Sequence, residues 1–486
     1  MEPTTRVDIR PRGGWHWTLS WLLVACGLSG CAGLPTVVPD LQRRAPTPVR
    51  LEGARGPLST AQSRAILQRL AASGQETGVF ERHLALEEAI VGSPLTTGNQ
   101  VRLLKDGPAT YRAMYAAILE AKDHINMETY ILEDDEVGRR FARALMDKQH
   151  QGVQVNLIRD SVGTLETPES FFRELADSGI RVLEFNPINP LATRREWALN
   201  QRDHRKLLIV DGRVAFLGGI NISSVYSGGS FKSGSRAKPK PKPAPDPELP
   251  PAEVSEELPW RDTDLEIRGP AVAEFQKLFL AAWDSQKGDP LPPRNYFPAL
   301  APMGKQVVRA IGSSPEEPYS LIYATLLSAI ASAETSVYLT NAYFVPDPQL
   351  LAALEDAARR GVDVTLILPS RTDSALVFHA GRRHYDRLLR AGVKIYERRG
   401  VILHAKTALI DGVWATVGST NLDWRSFLHN HELNAVVLGA DFGDQVRAMF
   451  ARDLAASDRI TLEAWRERSL GTRLKELFSG LWAYWL

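Results

Sequence analysis

The sequence predicts an α/β protein of two tandem domains, each a mixed β-sheet flanked by helices, related by pseudo-twofold symmetry with one site at their interface. Three observations predict this. Apolar, β-branched runs alternate with helical stretches, which argues α/β architecture. The order of these segments recurs once, at an offset of about two hundred residues, which is a domain duplication and not a solenoid. Inside each copy lies one polar pattern: His204-Arg-Lys206, Asp211-Gly, Gly218-Gly219 and Asn221 in the first, His404-Ala-Lys406, Asp411-Gly, Gly418-Ser419 and Asn421 in the second.

The chain begins with an export-type leader over 1–30. Arg6, Arg10 and Arg12 form a basic region, and Trp17 to Leu28 is an apolar run too short to span a bilayer comfortably. It ends in Leu28-Ser29-Gly30-Cys31, which resembles a bacterial lipobox; that resemblance implies cleavage before Cys31 and acylation of its thiol. Two or more acyl chains would hold the protein stably to a membrane. The predicted location is the bacterial cell envelope, as a periplasm-facing, membrane-anchored lipoprotein. Cys26 and Cys31 are the only cysteines, so disulfide scaffolding and a cysteine zinc site are excluded. Residues 31–95 read as a Pro- and Arg-rich tether followed by a helical segment, with Ser59 capping a helix to about Ala72.

The first domain is placed at 96–290. Tyr111 to Ala121 reads as a helix and Ile125 to Leu132 as a strand; Gly152-Val-Gln-Val-Asn-Leu-Ile and Gly179-Ile-Arg-Val-Leu-Glu-Phe are further strands. An insertion at about 228–258, rich in Lys and Pro and then in acids, cannot build a core and is expected to be disordered. It is either a solvated spacer or a basic arm for anionic headgroups, where each Lys would contribute about 1 kcal/mol. Ala271 to Trp283 reads as the closing helix, and 291–303 as a Pro-rich linker. The second domain, 304–460, repeats the order: Tyr319 to Ala333, Val337 to Val345, Gly361-Val-Asp-Val-Thr-Leu-Ile-Leu, Gly392-Val-Lys-Ile-Tyr-Glu. His379, His384, His429 and His431 read as surface or rim residues. The tail, 461–486, is amphipathic and aromatic; it reads equally as a bilayer-interface element or as a helix packed on the body.

Net charge is +1, which gives no general case for nucleic-acid binding. The chemistry lies in the repeated pattern. Residues i and i+2 of a strand share a face, so each His projects with its Lys. The ammonium supplies charge for an oxyanion, and the imidazole a nucleophile or a proton. Asp-Gly between two β-type runs is a hairpin signal, so Asp211 and Asp411 read as turn residues or as members of the site. Asn221 and Asn421 carry amides that can donate to an anion. Two copies converging at an axis would place one His to attack phosphorus and the other to protonate the leaving alcohol.

This pattern, His-x-Lys-x4-Asp-x6-Gly-Ser-x-Asn given twice, resembles that of the phospholipase D superfamily, from about Val101 to about Asp453. The resemblance implies a phosphohistidine intermediate on His204, with His404 as general acid and then base. It implies Lys206, Lys406, Asn221, Asn421 and Ser419 as phosphate-binding residues, and Asp262 and Glu432 as the acids that orient the histidines. It implies no cofactor and no metal. Gly219 departs from the usual Ser, so a hydroxyl kept by Ser419 is lost in the first copy.

Within the superfamily the chain most resembles bacterial cardiolipin synthases, through Glu128-Thr-Tyr-Ile-Leu-Glu-Asp-Asp, Trp260-Arg-Asp-Thr-Asp-Leu-Glu-Ile-Arg-Gly-Pro and Gly418-Ser-Thr-Asn-Leu-Asp-Trp-Arg-Ser. The implied reaction joins two phosphatidylglycerols into cardiolipin and glycerol. The implied partner is an anionic phospholipid at a membrane surface, with no nucleic acid expected and the oligomeric state left open. The alternative is phospholipase D hydrolysis of headgroups; a nuclease or a non-catalytic lipid-binding scaffold ranks lower. For the first step His404 is expected to be protonated, its pKa raised by Glu432 or Asp262.

Overall fold

The computed structural model describes residues 37–38, 48–72, 82–193, 196–227 and 258–485. The leader with Cys31 and nearly all of the Lys/Pro-rich insertion lie outside the described residues. Two short strands, β1 (Leu51–Gly53) and β2 (Gly56–Pro57), and helices α1 (Thr60–Ala72) and α2 (Leu84–Ile90) precede the repeated part.

The first half runs β3 (Leu95–Leu104), α3 (Gly107–Glu120), β4 (His124–Thr129), α4 (Glu136–His150), β5 (Gln154–Asp160), α5 (Glu169–Asp177), β6 (Arg181–Phe185), β7 (Arg202–Asp203), β8 (Leu207–Val210), β9 (Val214–Gly218), β10 (Trp260–Arg261), β11 (Asp264–Arg268) and α6 (Val272–Ser285). The second runs β12 (Gln306–Ser313), α7 (Leu321–Ser332), β13 (Ser336–Asn341), α8 (Pro348–Arg359), β14 (Asp363–Pro369), α9 (Ala375–Arg382), α10 (Tyr385–Ala391), β15 (Lys394–Arg398), β16 (Ile402–Leu403), β17 (Lys406–Ile410), β18 (Trp414–Gly418), α11 (Trp424–Leu428), β19 (Asn430–Leu438), α12 (Ala440–Ala455), β20 (Ser457–Ile460), α13 (Leu462–Arg466) and α14 (Leu470–Gly480).

Strand order makes the duplication explicit. In the first half it is β3-β11-β9-β8-β4-β5-β6, and in the second β12-β19-β18-β17-β13-β14-β15, with β20 added at the edge. The parallel strands β4, β5 and β6 take helical crossovers, whereas β8 and β9 form a hairpin. The equivalent strands β3 and β12 pair antiparallel, Asn99 opposite Gln306 and Thr96 opposite Val308, as a local twofold requires. One apolar core crosses the junction, with Phe275 and Phe279 of α6 and Phe442 and Met449 of α12 packed between the sheets. The described residues from 38 onward accordingly form one compact unit.

Two differences from the sequence reading have local causes. The first-half helix begins at Gly107, four residues before Tyr111, because Asp106 caps it, accepting from Ala109 N–H, with Pro108 in the first turn. Strand β4 stops at Thr129 and not at Leu132, because Ile131 N–H turns away to Asn221 Oδ1 at 3.1 Å.

Candidate active site

His204 and His404 sit just before β8 and β17, at the edge where the parallel strands of each half end. Two short parallel pairings bring these edges together. β7 pairs with the start of β19, Arg202 opposite Asn430 and Asp203 opposite His431, and β10 pairs with β16, Trp260 opposite Ile402. His204 N–H donates to His431 C=O at 3.0 Å, and His404 N–H to Arg261 C=O at 2.8 Å. Each half therefore lays the segment before its His beside the acid-bearing strand of the other.

The acids follow this exchange. His204 Nδ1 lies 3.1 Å from both carboxylate oxygens of Glu432, and His404 Nδ1 lies 2.6 Å from Asp262 Oδ2. Binding Nδ1 fixes the ring and leaves Nε2 for chemistry. Lys206 and Lys406 turn back on their own strands, each donating from Nζ to the carbonyl of its His; Lys406 Nζ is also 2.9 Å from His404 Nδ1. The constellation is closed, with His204 only 7% and His404 5% exposed.

Burial sets the electrostatics. It lowers the His204 pKa to about 4, aided by the charges of Lys206 and Lys406 and opposed by Glu432. His404 is also lowered, first by burial and then by Lys406, although Asp262 opposes this. This corrects the expectation of a raised His404: two buried ammonium groups and desolvation outweigh one carboxylate. Lys206 itself is lowered to about 7, by burial first, with Glu432 opposing and Lys406 adding. Burial pushes Glu432 up, but His204 and Lys206 hold it below the usual carboxylate range.

Asp211 and Asp411 do not join this cluster, which corrects their assignment to the catalytic set. Each lies at the far end of its strand from the His, at positive φ (52° and 49°) with a positive-φ glycine behind it. The Asp211 carboxylate accepts from the N–H groups of Lys122, Asp123 and His124, and Asp411 from Glu334, Thr335 and Ser336. Each caps the loop entering β4 or β13. Their role is the turn.

Asn221 and Asn421 flank the site differently. Asn221 Nδ2 donates to Tyr226 Oη at 2.9 Å, whereas Asn421 Oδ1 is buried without a hydrogen-bond partner. Ser419 Oγ donates to Glu432 Oε2 at 2.5 Å and accepts from Leu433 N–H at 3.0 Å. Gly219 faces Asp262 so closely that a Cβ there would lie 2.7 Å from its Cγ. The glycine is thus matched to the shorter acid, and the serine to the longer one.

Sequence reasoning missed the aromatic wall. Trp260 and Tyr226 pack on His404 at 5.0 and 5.9 Å between ring centroids, and Tyr226 Oη is 3.3 Å from His404 Nδ1. Tyr343 edges His404 at 6.1 Å and Tyr130 edges His204 at 5.1 Å, from non-equivalent positions. His431 was read as a rim residue; it is buried, its ring 4.9 Å from Phe185.

Comparison with known proteins fits this geometry. A family profile described as "Cardiolipin synthase, PLD-like domain" matches residues 114–227 and 326–454. A cardiolipin synthase of Geobacillus kaustophilus (strain HTA426) is 33% identical over 401 residues, covering 82% of this chain and 74% of that protein. One of Listeria welshimeri serovar 6b is 35% identical over 395 residues, 80% of this chain and 76% of that one. Among solved structures, the phosphatidylserine synthase of Haemophilus influenzae Rd KW20 shares the fold, with a TM-score of 0.62 at 14% identity over 82% of this chain and 99% of that chain.

Proposed function

The chain belongs to the phospholipase D-like cardiolipin synthase family, and from that premise we propose that it joins two phosphatidylglycerols into cardiolipin and glycerol. The observation that carries this reading is the crossed pairing of His204 with Glu432 and of His404 with Asp262, which gathers two acid-oriented imidazoles and two lysines in one buried site. The two halves at 96–290 and 304–460 act as one catalytic unit.

In the proposed cycle His204 Nε2 attacks the phosphorus of one phosphatidylglycerol. The P–O bond to glycerol breaks, and His404 gives its proton to the departing alkoxide. Lys206 and Lys406 hold the phosphoryl oxygens as charge develops, which in many enzymes is the main source of rate acceleration. His404 then takes the proton of a second phosphatidylglycerol hydroxyl, which displaces His204 from phosphorus. In the empty site His404 is depressed; an arriving phosphodiester anion offsets the two ammonium charges and raises it. Proton loading is thereby tied to substrate binding.

We also propose that the protein acts at a membrane surface on an anionic phospholipid, without a nucleic-acid partner, and that Cys31 anchors it in the envelope facing the periplasm. Support for the anchor is the sequence Leu28-Ser29-Gly30-Cys31. Among the described residues no helix is long and apolar enough to cross a membrane.

The test presents phosphatidylglycerol vesicles to the purified protein and resolves the lipid products. Cardiolipin plus free glycerol supports the transferase. Phosphatidic acid without cardiolipin makes water the acceptor and overturns it. His204→Ala and His404→Ala are each expected to lower turnover about 10³-fold or more.

A further inference from the structure

The last helix is amphipathic in the opposite sense to a water-facing element. On α14 two polar side chains point inward: Glu476 is 2% exposed and ion-paired with Arg468 Nε at 3.0 Å, and Ser479 is also buried. The apolar ones point out. Leu474 is 65%, Leu477 68% and Phe478 62% exposed, and in the turn beyond the helix Leu481 is 73% and Trp485 65% exposed. Packing on the body therefore does not account for this apolar face. Monomeric soluble proteins rarely leave such a contiguous surface to water.

The position of the face says what covers it. α14 packs on α9, with Arg383 Nη1 donating to Gly480 C=O at 2.7 Å. α9 follows the loop at the end of β14, where Asp373 accepts from Tyr343 Oη at 2.6 Å, and Tyr343 edges His404. Tyr484 packs tilted on Trp424, 5.4 Å between ring centroids, three residues after Asn421. The apolar face thus borders the edge of the second half that carries His404. On the first half, Leu165 (67% exposed) and Leu191 (93%) lie in the loops leaving β5 and β6, at the edge that carries His204. Apolar side chains flank the site from both halves. Exposed charged side chains on 470–485 are Arg473 and Lys475, both cations, since Glu476 is buried.

We propose that this surface docks on an anionic phospholipid bilayer, seating α14 and its terminal turn at the headgroup–acyl boundary so that the two histidines face the headgroups. The inference rests on the lipid reading of the site and adds which surface meets the membrane. A helix of this kind buries its apolar face at the interface while its cations meet anionic headgroups. Leucines and tryptophans facing out beside the site keep the acyl chains of a bound lipid in the bilayer while its phosphate reaches His204.

Two measurements on the full chain test it. In the first, phosphatidylglycerol vesicles carrying bromine in their acyl chains are added and tryptophan fluorescence is read. The wild type is expected to show a quenched component that Trp482→Phe/Trp485→Phe removes; identical quenching in both proteins overturns the proposal. In the second, Leu477→Ser/Phe478→Ser/Leu481→Ser is expected to lose about tenfold in turnover of phosphatidylglycerol in vesicles while keeping turnover of dispersed short-chain phosphatidylglycerol. An equal loss on both substrates, or none, overturns it, as does a triple variant that lowers the oligomeric state without changing quenching. If the wild type turns over neither substrate, the transferase reading fails, and the quenching result still decides the docking surface.

Discussion

The two halves present the same front and different backs. In front, each offers a His, a Lys and an acid from equivalent positions. Behind His204, on the other face of its strand, lies a buried charged layer: Glu128, Asp160, Arg202, Asp203 and Arg205. Arg202 Nη1 stands 3.5 Å from Asp160 Oδ1, Asp160 Oδ2 accepts from Asp203 N–H at 2.8 Å, and Arg205 reaches Glu128 at 3.6 Å and donates to Glu432 C=O at 3.2 Å. The corresponding positions behind His404 are Thr340, Pro369, Ile402, Leu403 and Ala405. The proposed chemistry constrains only the front, where a phosphate would be held. What supports the strand from behind can be ionic or apolar, provided that it is complete.

The largest expected effect breaks this backing. Arg205→Leu leaves Glu128 and Asp203 buried without their cation, in a layer where burial already raises both carboxyls and Asp203 further feels Glu128. Removing one partner of a buried ionic group costs about 3–5 kcal/mol, to be read from urea unfolding. The variant Arg205→Leu/Glu128→Thr/Asp203→Leu, which takes its changes at 128 and 203 from Thr340 and Leu403 of the second half, is expected to recover most of that loss, because apolar replacement of a buried ionic cluster is often neutral. Failure to recover would mean that the charged layer does something the apolar one cannot.

Next comes the match between glycine and acid. Gly219→Ser drives a side chain into the Asp262 carboxylate and moves the partner of His404. A displacement of about 1 Å at such a group costs roughly 10²-fold in rate. The reciprocal Ser419→Gly removes one hydrogen bond from Glu432, which keeps both contacts to His204, and is expected to cost about tenfold. Steady-state kinetics on phosphatidylglycerol vesicles compares the two; equal losses would erase the distinction between the halves.

Much of this was legible in the sequence, and the part that was not has a physical reason. Period two puts His204 with Lys206 and His404 with Lys406 on one face. The repeated segments order the strands. The same period, applied to Asn430-His-Glu-Leu-Asn, would have placed His431 on the face opposite Glu432 and so in the core, since β19 is buried along its whole length. The aromatic wall could not be read, because Tyr226, Trp260 and Tyr343 reach His404 from three separated segments. Nor could the depressed histidines. Their pKa depends on how fully the halves close over two lysines, which no local pattern encodes.

That closure makes a pH prediction with a definite sign. Lys206 is lowered to about 7, by burial first, so the free protein holds it charged below that pH and loses the charge above it. Because kcat/KM reports groups of the free enzyme, it is expected to fall about tenfold per pH unit above 7 as the phosphate loses that cation. Lys206→Arg keeps its charge throughout and should flatten the alkaline limb, at some cost in absolute rate. An unchanged limb would assign it to another group.

The smallest expected effect is the most diagnostic of asymmetry. Tyr226 Oη joins Asn221 of the first half to His404 of the second, whereas position 426 holds Ser426, whose N–H caps onto Asp423 at 2.7 Å. Tyr226→Phe removes only the hydroxyl. With a neutral hydrogen bond worth about 1 kcal/mol, kcat is expected to drop roughly fivefold while the unfolding midpoint moves little. Ser426→Ala should leave kcat unchanged. If both variants behaved alike, Tyr226 would be wall and nothing more. A fall confined to Tyr226→Phe would mean that the acid–base histidine is positioned from across the interface by the same residue that holds Asn221, a coupling that His204 has no counterpart for.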